Sequence, residues 1–271
     1  MTTEVNRSDQ KRRTTIKRTR RKRCCRKTSM KMIRSPPPVM FPLQRLYLSC
    51  LDVFKGVDTV PTPSDDQKLR HILDGLMPED FGLPRNLQFL DPDSKVVVCS
   101  IYQCQNFSLY ILLLPENAVI PLHNHPGMTV FNKLLLGKVH IKAYDLITPH
   151  ITDNSPSLSQ LKLAYLKKDN VFTAPCNTSV LYPTSGGNIH AFTAITHCMI
   201  LDVVGPPYSK KDGRDCSYYQ EIPYIVSPHE QMVAPKEDGK SYRWLEEIEM
   251  PKESEMDRIE YLGPQVIEVS P

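Results

Sequence analysis

The sequence predicts an all-β sandwich or barrel preceded by two helices, and three observations carry that expectation. From about Lys95 onward, short runs rich in Val, Ile, Leu, Tyr and Thr alternate with turn residues, the texture of many short strands at close spacing. Before that point, apolar residues recur at helical rather than alternating intervals. At 271 residues and 40% hydrophobic content, the chain can bury one good core or two small ones.

The chain opens on residues 1–34, which hold 14 Lys/Arg against 2 Asp/Glu, a net +12, with few large apolar residues. Such a segment is expected to be disordered. Its runs Lys11-Arg12-Arg13 and Lys17-Arg18-Thr19-Arg20-Arg21-Lys22-Arg23 resemble a nuclear import signal, although a solvated tail without an address has the same composition. Ser35-Pro36-Pro37-Pro38 reads as a stiff linker. The expected organisation is a basic tail and linker over residues 1–40 and one folded domain over residues 41–271.

The remainder of the chain holds 20 basic and 28 acidic residues, a net −8. A mildly acidic body argues against a basic groove for direct nucleic-acid binding. No apolar run approaches spanning length. The longest obvious candidate, residues 109–114, runs into Pro115-Glu116, so no membrane association is expected. The polar, basic start shows no secretory signal. Eight cysteines without a Cys-x-x-Cys pair do not look like a disulfide framework or zinc finger. Cys24-Cys25 lie in the tail, while Cys99, Cys104, Cys176 and Cys198 read as small core residues. A reducing nuclear or cytoplasmic compartment fits.

Leu43, Leu46, Tyr47, Cys50, Leu51 and Phe54 repeat at helical spacing, with Gly56 as a stop. A second helix is expected to open at Ser64, with Ser64-Asp65-Asp66-Gln67 as capping box. Leu69, Ile72, Leu73 and Leu76 form its apolar stripe, and Pro78 ends it. Neither helix would be stable alone, so both are expected to pack on the outside of the following domain. Strands are expected over 95–103, 107–114, 129–136, 138–145, 161–167, 170–173, 179–182, 188–195 and 197–204. Gly137 is a natural turn. Within 139–144, Val139, Ile141 and Ala143 alternate with His140, Lys142 and Tyr144, a half-buried pattern. Residues 155–160 read as a loop and the segment after Gly205 as irregular. Residues 244–248 read as a short helix and 266–269 as a final strand.

Two motifs carry chemistry. His123-Asn124-His125-Pro126-Gly127-Met128 places imidazoles at i and i+2, on one side of a strand. Gly186-Gly187-Asn188-Ile189-His190 delivers a third from a Gly-rich turn. Three neutral imidazoles converging inside an all-β domain would make an open metal site.

His-x-His, then Gly137, then a Gly-x-x-His turn some fifty residues later resembles the motif layout of the cupins. That resemblance implies a double-stranded β-helix barrel with the two N-terminal helices packed outside. Cupins often add a Glu ligand after the His pair. The corresponding position here is Val130, with Thr129 before it, so the resemblance implies a three-histidine site of His123, His125 and His190. The stretches Ile120-Pro121-Leu122-His123-Asn124-His125-Pro126-Gly127-Met128-Thr129-Val130-Phe131, Gly187-Asn188-Ile189-His190 and Gly205-Pro206-Pro207-Tyr208-Ser209 resemble the plant cysteine oxidases. The animal cysteamine (2-aminoethanethiol) dioxygenase is a relative. The resemblance covers residues 41–271 and implies a monomeric non-haem Fe(II) dioxygenase. Its expected partners are O₂ and regulatory proteins, transcription factors among them, with an N-terminal cysteine. Oxidation to the sulfinic acid would mark them for N-degron degradation and so report oxygen.

The chemistry of the donor set agrees. Three neutral imidazoles leave a ferrous ion its full charge and one face open. A thiolate, its α-amine and O₂ need such a face. Cation binding depresses a thiol pKa, and an N-terminal amine, with an ordinary pKa near 8, loses its proton readily.

Asp202, between Ile200-Leu201 and Val203-Val204, is a buried carboxylate in need of partners. It is either a cavity group that orients a ligand or the substrate amine, the role the resemblance favours, or a strand-end Asp bonded to backbone. Tyr208 either hangs its hydroxyl over the open face or packs as an ordinary aromatic. Cys216 and Tyr218 match positions that the relatives place near the cavity and able to cross-link, although a core pair is the commoner fate. His71, His140, His150, His197 and His229 have no expected metal role, and Met128 is expected on the cavity floor. Two other functions fit the same motifs: a zinc- or nickel-loaded cupin isomerase or hydrolase, and a non-enzymatic nuclear protein docked through its basic tail.

Overall fold

Both expected helices form in the structure, a computed structural model that describes residues 40–57, 59–83, 94–147, 161–223 and 241–269. The basic tail, the proline linker, Cys24-Cys25, the 155–160 loop, His150 and His229 lie outside the described residues.

Helix α1 spans Pro42–Val53 and α2 spans Pro63–Asp74. The start of α2 differs from the expectation. Its cap is Thr62, whose Oγ1 accepts from Asp65 N while Asp65 Oδ2 accepts from Thr62 N, both at 3.2 Å. Pro63, with φ already helical, is preorganised for the first helical position, so the box closes two residues before Ser64.

Twelve strands follow among the described residues: β1 (Val96–Gln103), β2 (Ser108–Leu114), β3 (Val119–His123), β4 (Thr129–Leu136), β5 (Lys138–Leu146), β6 (Leu161–Thr173), β7 (Ser179–Leu181), β8 (Ile189–Ala194), β9 (Cys198–Gly205), β10 (Tyr218–Pro223), β11 (Tyr242–Ile248) and β12 (Met256–Glu260). They form a six-stranded sheet, β12-β1-β2-β9-β4-β7, and a closed ring, β10-β11-β6-β5-β8-β3. This is the double-stranded β-helix of the cupins.

Several expectations are corrected. Residues 244–248 are strand, not helix: β11 pairs with β10 on one side and β6 on the other, and Leu245 is fully buried. Ladder pairing on both edges outweighs a five-residue pattern. Residues 266–269 make no strand. The Ile267 N–H and C=O are satisfied instead by the Gln44 side chain on α1, at 2.7 and 2.9 Å, and the last strand is β12, parallel to β1. The runs 161–167 and 170–173 are one strand. In β5 a bulge between Ala143 and Tyr144 breaks the alternation, so Tyr144 and Asp145 are both buried.

The helices cover the outer face of the six-stranded sheet. Leu46, Tyr47, Phe54, Leu69 and Leu73 pack on Leu109, Ile111, Leu113, Leu201 and Val203. The neighbouring positions Leu112, Leu114, Cys198 and Ile200 face the ring and meet Val139, Ile141 and Phe192. Strand β9 is buried at every position, which explains its near-continuous apolar run. A fully buried Leu or Ile contributes roughly 1.5–3 kcal/mol, so this two-sided layer fixes the register of β9. A slip of one residue would swap its faces, and register puts Asp202 on the inward one. The described residues from Met40 onward make up one compact unit.

Candidate metal centre

Register brings the first two imidazoles together. His123 and His190 are direct partners across β3 and β8, an arrangement that sets facing Cβ atoms about 5 Å apart. Their ring centroids lie 4.8 Å apart. His125 does not share a strand with His123, because β3 ends at His123. It reaches the site from the loop beyond, with ring centroids 4.9 Å from both His123 and His190. The ligand nitrogens of the three residues all lie within 4.8 Å of one another.

Asn188 holds that loop in place. Its Oδ1 accepts from His125 N at 3.1 Å, and its Nδ2 donates to His125 O at 2.9 Å and to Tyr182 O at 2.8 Å. Asn188 belongs to the same turn as His190, so one amide fixes the spacing between the two motifs. The turn is held by Asp145, a buried carboxylate that accepts from the backbone N–H of Gly186, Gly187 and Asn188 at 3.1, 2.7 and 3.2 Å. Both glycines have positive φ, +84° and +90°. A Cβ on Gly187 would stand 2.8 Å from Ala143 Cβ, so both positions require Gly. Asn124 ties the His-x-His loop to the chain ahead of β10, its Oδ1 accepting from Ser217 N at 2.8 Å. Asp145, Asn188 and Asn124 were not singled out from the sequence. For Asp145 the only signal was an acidic residue within an apolar strand.

The hydrogen bonds fix which ring nitrogen is free. His123 Nδ1 lies 2.8 Å from Pro121 O and His190 Nδ1 lies 3.4 Å from Gly187 O. A carbonyl only accepts, so each Nδ1 carries its proton and each Nε2 keeps a lone pair. Tyr208 hydroxyl donates to Asn124 O and lies 2.9 Å from His125 Nδ1. Its single proton is used on the carbonyl, so His125 Nδ1 donates to the hydroxyl oxygen. His125 Nε2 is buried without a hydrogen-bond partner. Burial pushes all three imidazole pKa values down, those of His125 and His190 well below the usual range, so all three are neutral at pH 7. Three convergent, unprotonated nitrogens, one of them an orphaned buried acceptor, suit a metal ion. No carboxylate joins the cluster among the described residues; Thr129 and Val130 are buried nearby with nothing anionic to offer.

The rings open onto a cavity of about 520 Å³ that also admits Asp202, Tyr208, Cys216 and Tyr218. Asp202 is not bonded to backbone in the manner of a strand-end Asp. Its Oδ1 accepts from Asn132 Nδ2 at 2.6 Å, and burial raises its pKa to about 7 against the lowering effect of that bond. The Tyr208 hydroxyl sits on His125 Nδ1, and the residue lines the same cavity as the three rings. Cys216 is half-buried and shares the cavity lining with Tyr208 and Tyr218. Met128 is fully buried against Tyr110 and Tyr208, beneath the lining and not on the floor. His140 bonds Asp169 and His197 accepts from Glu116 N, both away from the cluster, and His71 is exposed on α2.

A barrel of this topology with three imidazoles gathered at its closing seam defines a cupin metal centre. The PCO_ADO family model matches residues 72–266. Plant cysteine oxidase 1 of Arabidopsis thaliana is 42% identical over 250 residues, covering 87% of this chain and 84% of the relative. Plant cysteine oxidase 2 of the same plant is 41% identical over 243 residues, 87% of each chain. A 2-aminoethanethiol dioxygenase of Homo sapiens is 30% identical over 230 residues, covering 75% of this chain and 82% of that one. The chain belongs to the PCO_ADO family of thiol dioxygenases.

Proposed function

We propose that the chain is a ferrous thiol dioxygenase that converts the N-terminal cysteine of protein substrates to its sulfinic acid, with His123, His125 and His190 holding the metal. The observation that carries the reading is the set of three neutral imidazoles facing an open cavity with no carboxylate among them. Ferrous iron bound there supplies the redox chemistry that joins both atoms of O₂ to a thiolate sulfur. The rest is done by the chain. The Nδ1–H bonds to Pro121, Gly187 and Tyr208 hold the rings in the tautomer that presents Nε2. Tyr208 is thus a positioning residue for His125. Asp202, with a pKa near neutrality, takes up the proton that a substrate α-ammonium must lose and then orients the amine. The apolar walls, Ile120, Leu112 and Phe192 among them, exclude bulk water from the sulfur.

The plant relatives' name, cysteine oxidase, supports cysteine as the residue oxidised, and the resemblance to that family favours a protein N-terminus, with substrate stability reporting oxygen. Residues 1–40 are proposed as a tail outside the domain, with the basic runs serving nuclear import and the enzyme shared between nucleus and cytoplasm.

Purified protein reconstituted with ferrous iron is expected to add two oxygen atoms to a short Cys-initiated peptide, read by mass spectrometry. His190→Ala is expected to lose metal as well as turnover, because two ligands hold an ion weakly. Full metal stoichiometry in that variant would remove His190 from the site, and stoichiometric zinc without O₂ uptake in the native protein would replace the oxidase reading by a hydrolytic or isomerising one. Deleting residues 1–34 is expected to abolish nuclear accumulation of a fluorescent fusion while peptide oxidation stays unchanged. Retained accumulation would strip the tail of its address.

A further inference from the structure

The lining of the cavity has a direction. Because strand residues alternate between faces, Asp202 on β9, Tyr110 on β2, Ser100 and Val98 on β1, and Met256 and Arg258 on β12 share one face and line one cavity. In register Tyr110 stands opposite Asp202, Ser100 opposite Tyr110, and Arg258 opposite Val98. The lining therefore runs from the buried carboxylate to the edge of the sheet. Three inter-strand steps of about 4.8 Å and a two-residue shift of about 6.6 Å along β1 make roughly 16 Å, the length of about five extended residues.

Arg258 ends that path as an exposed cation. The other charges at the mouth are compensated. Glu255 is paired with Lys95 at 2.6 Å. Arg214, on the adjoining groove beside Gln103 and Ser209, is paired with Asp212 at 3.0 Å and also donates to Pro207 O. Arg258 has neither an ion pair nor a hydrogen bond within the described residues. As an exposed cation at the end of the lining it is a point of attraction for a carboxylate. Met250 and Met256 lie beside it, unbranched side chains that adapt to varied neighbours.

We propose that Arg258 is a specificity residue that reads a carboxylate three to five residues after the N-terminal cysteine of an extended protein substrate laid along this face. The inference rests on the thiol-dioxygenase reading and names the substrate class for the same site.

The test uses the iron-loaded full chain and eight-residue Cys-initiated peptides that differ only in carrying Glu, Gln or Lys at positions four to six. The Glu peptide is expected to be favoured over Gln by roughly two- to fivefold in kcat/KM, the range of an exposed ion pair. The gain should appear in KM with kcat unchanged and fade at about 0.5 M salt. Arg258→Ala should erase the preference and Arg258→Glu should transfer it to the Lys peptide. Cysteamine, too short to reach the rim, should be turned over alike by all variants. A preference that survives Arg258→Ala overturns the proposal. So does one that disappears only in Arg214→Ala, which would route the chain through the adjoining groove, or a loss of cysteamine turnover in the Arg258 variants, which would make the residue structural. Failure of the parent reading looks different: the native protein would oxidise none of the peptides.

Discussion

Asp202 shows how one side chain can weaken a fold and serve its chemistry. An ordinary aspartate ionises near 4, whereas this one does so near 7 because it is buried. Below pH 4 the folded and unfolded chains both carry the proton, and the group is neutral for stability. Between pH 4 and 7 the unfolded chain releases it and the folded chain keeps it, so stability falls as pH rises, and above 7 the full penalty persists. Asp202→Asn retains an oxygen for Asn132 Nδ2 and has no charge to bury. In metal-free protein it is expected to melt higher than the native chain at pH 7.5, with a stability gain of up to about 4 kcal/mol that closes towards pH 4. In iron-loaded protein it is expected to keep the metal and turn over more slowly. Scanning calorimetry at two pH values and a peptide assay check both halves, and a lower melting point at pH 7.5 would show that the carboxylate holds the barrel together.

At the scale of elements, the turn at residues 186–188 governs the site although none of those residues touches a substrate. Asp145 orders the turn, and Asn188 passes that order to His125. Asn188→Ala is expected to leave the barrel folded and to weaken metal affinity about 10–100-fold, the usual effect of removing a group that orients a ligand. Chelator competition measures it, and an affinity equal to that of the native protein would leave Asn188 only a packing role. The histidines were legible in the sequence because their spacing is local: His-x-His and a Gly-rich turn announce themselves within a few residues. Asp145 was not, because its partners are some forty positions away and its burial depends on a bulge in β5. The helix expected over 244–248 failed for a related reason. Trp244-Leu245-Glu246-Glu247-Ile248 becomes strand through the β6 and β10 ladders on either side, which no short window contains.

For the whole molecule, alternation on both faces of β2 and β9 explains why the chain is two layers deep, and the apolar runs made that layer readable in advance. The circuit of the second sheet was not readable, since its closing strand is short and far along the chain. That closure consists of one paired position, Tyr218 opposite His123, with Asn124 and Ser217 bonded beside it. A bound ion would grip His123, on one side of this joint, from within. Removing it with a chelator is expected to raise amide hydrogen exchange at 123–125 and 217–219, with β2 and β9 unchanged and protection restored on reloading. Uniform exchange with and without metal would separate the joint from the ion. The ion would then be the clasp of the hoop as well as the seat of its chemistry, so a cell short of metal would hold enzyme that is idle and also easier for proteases to open.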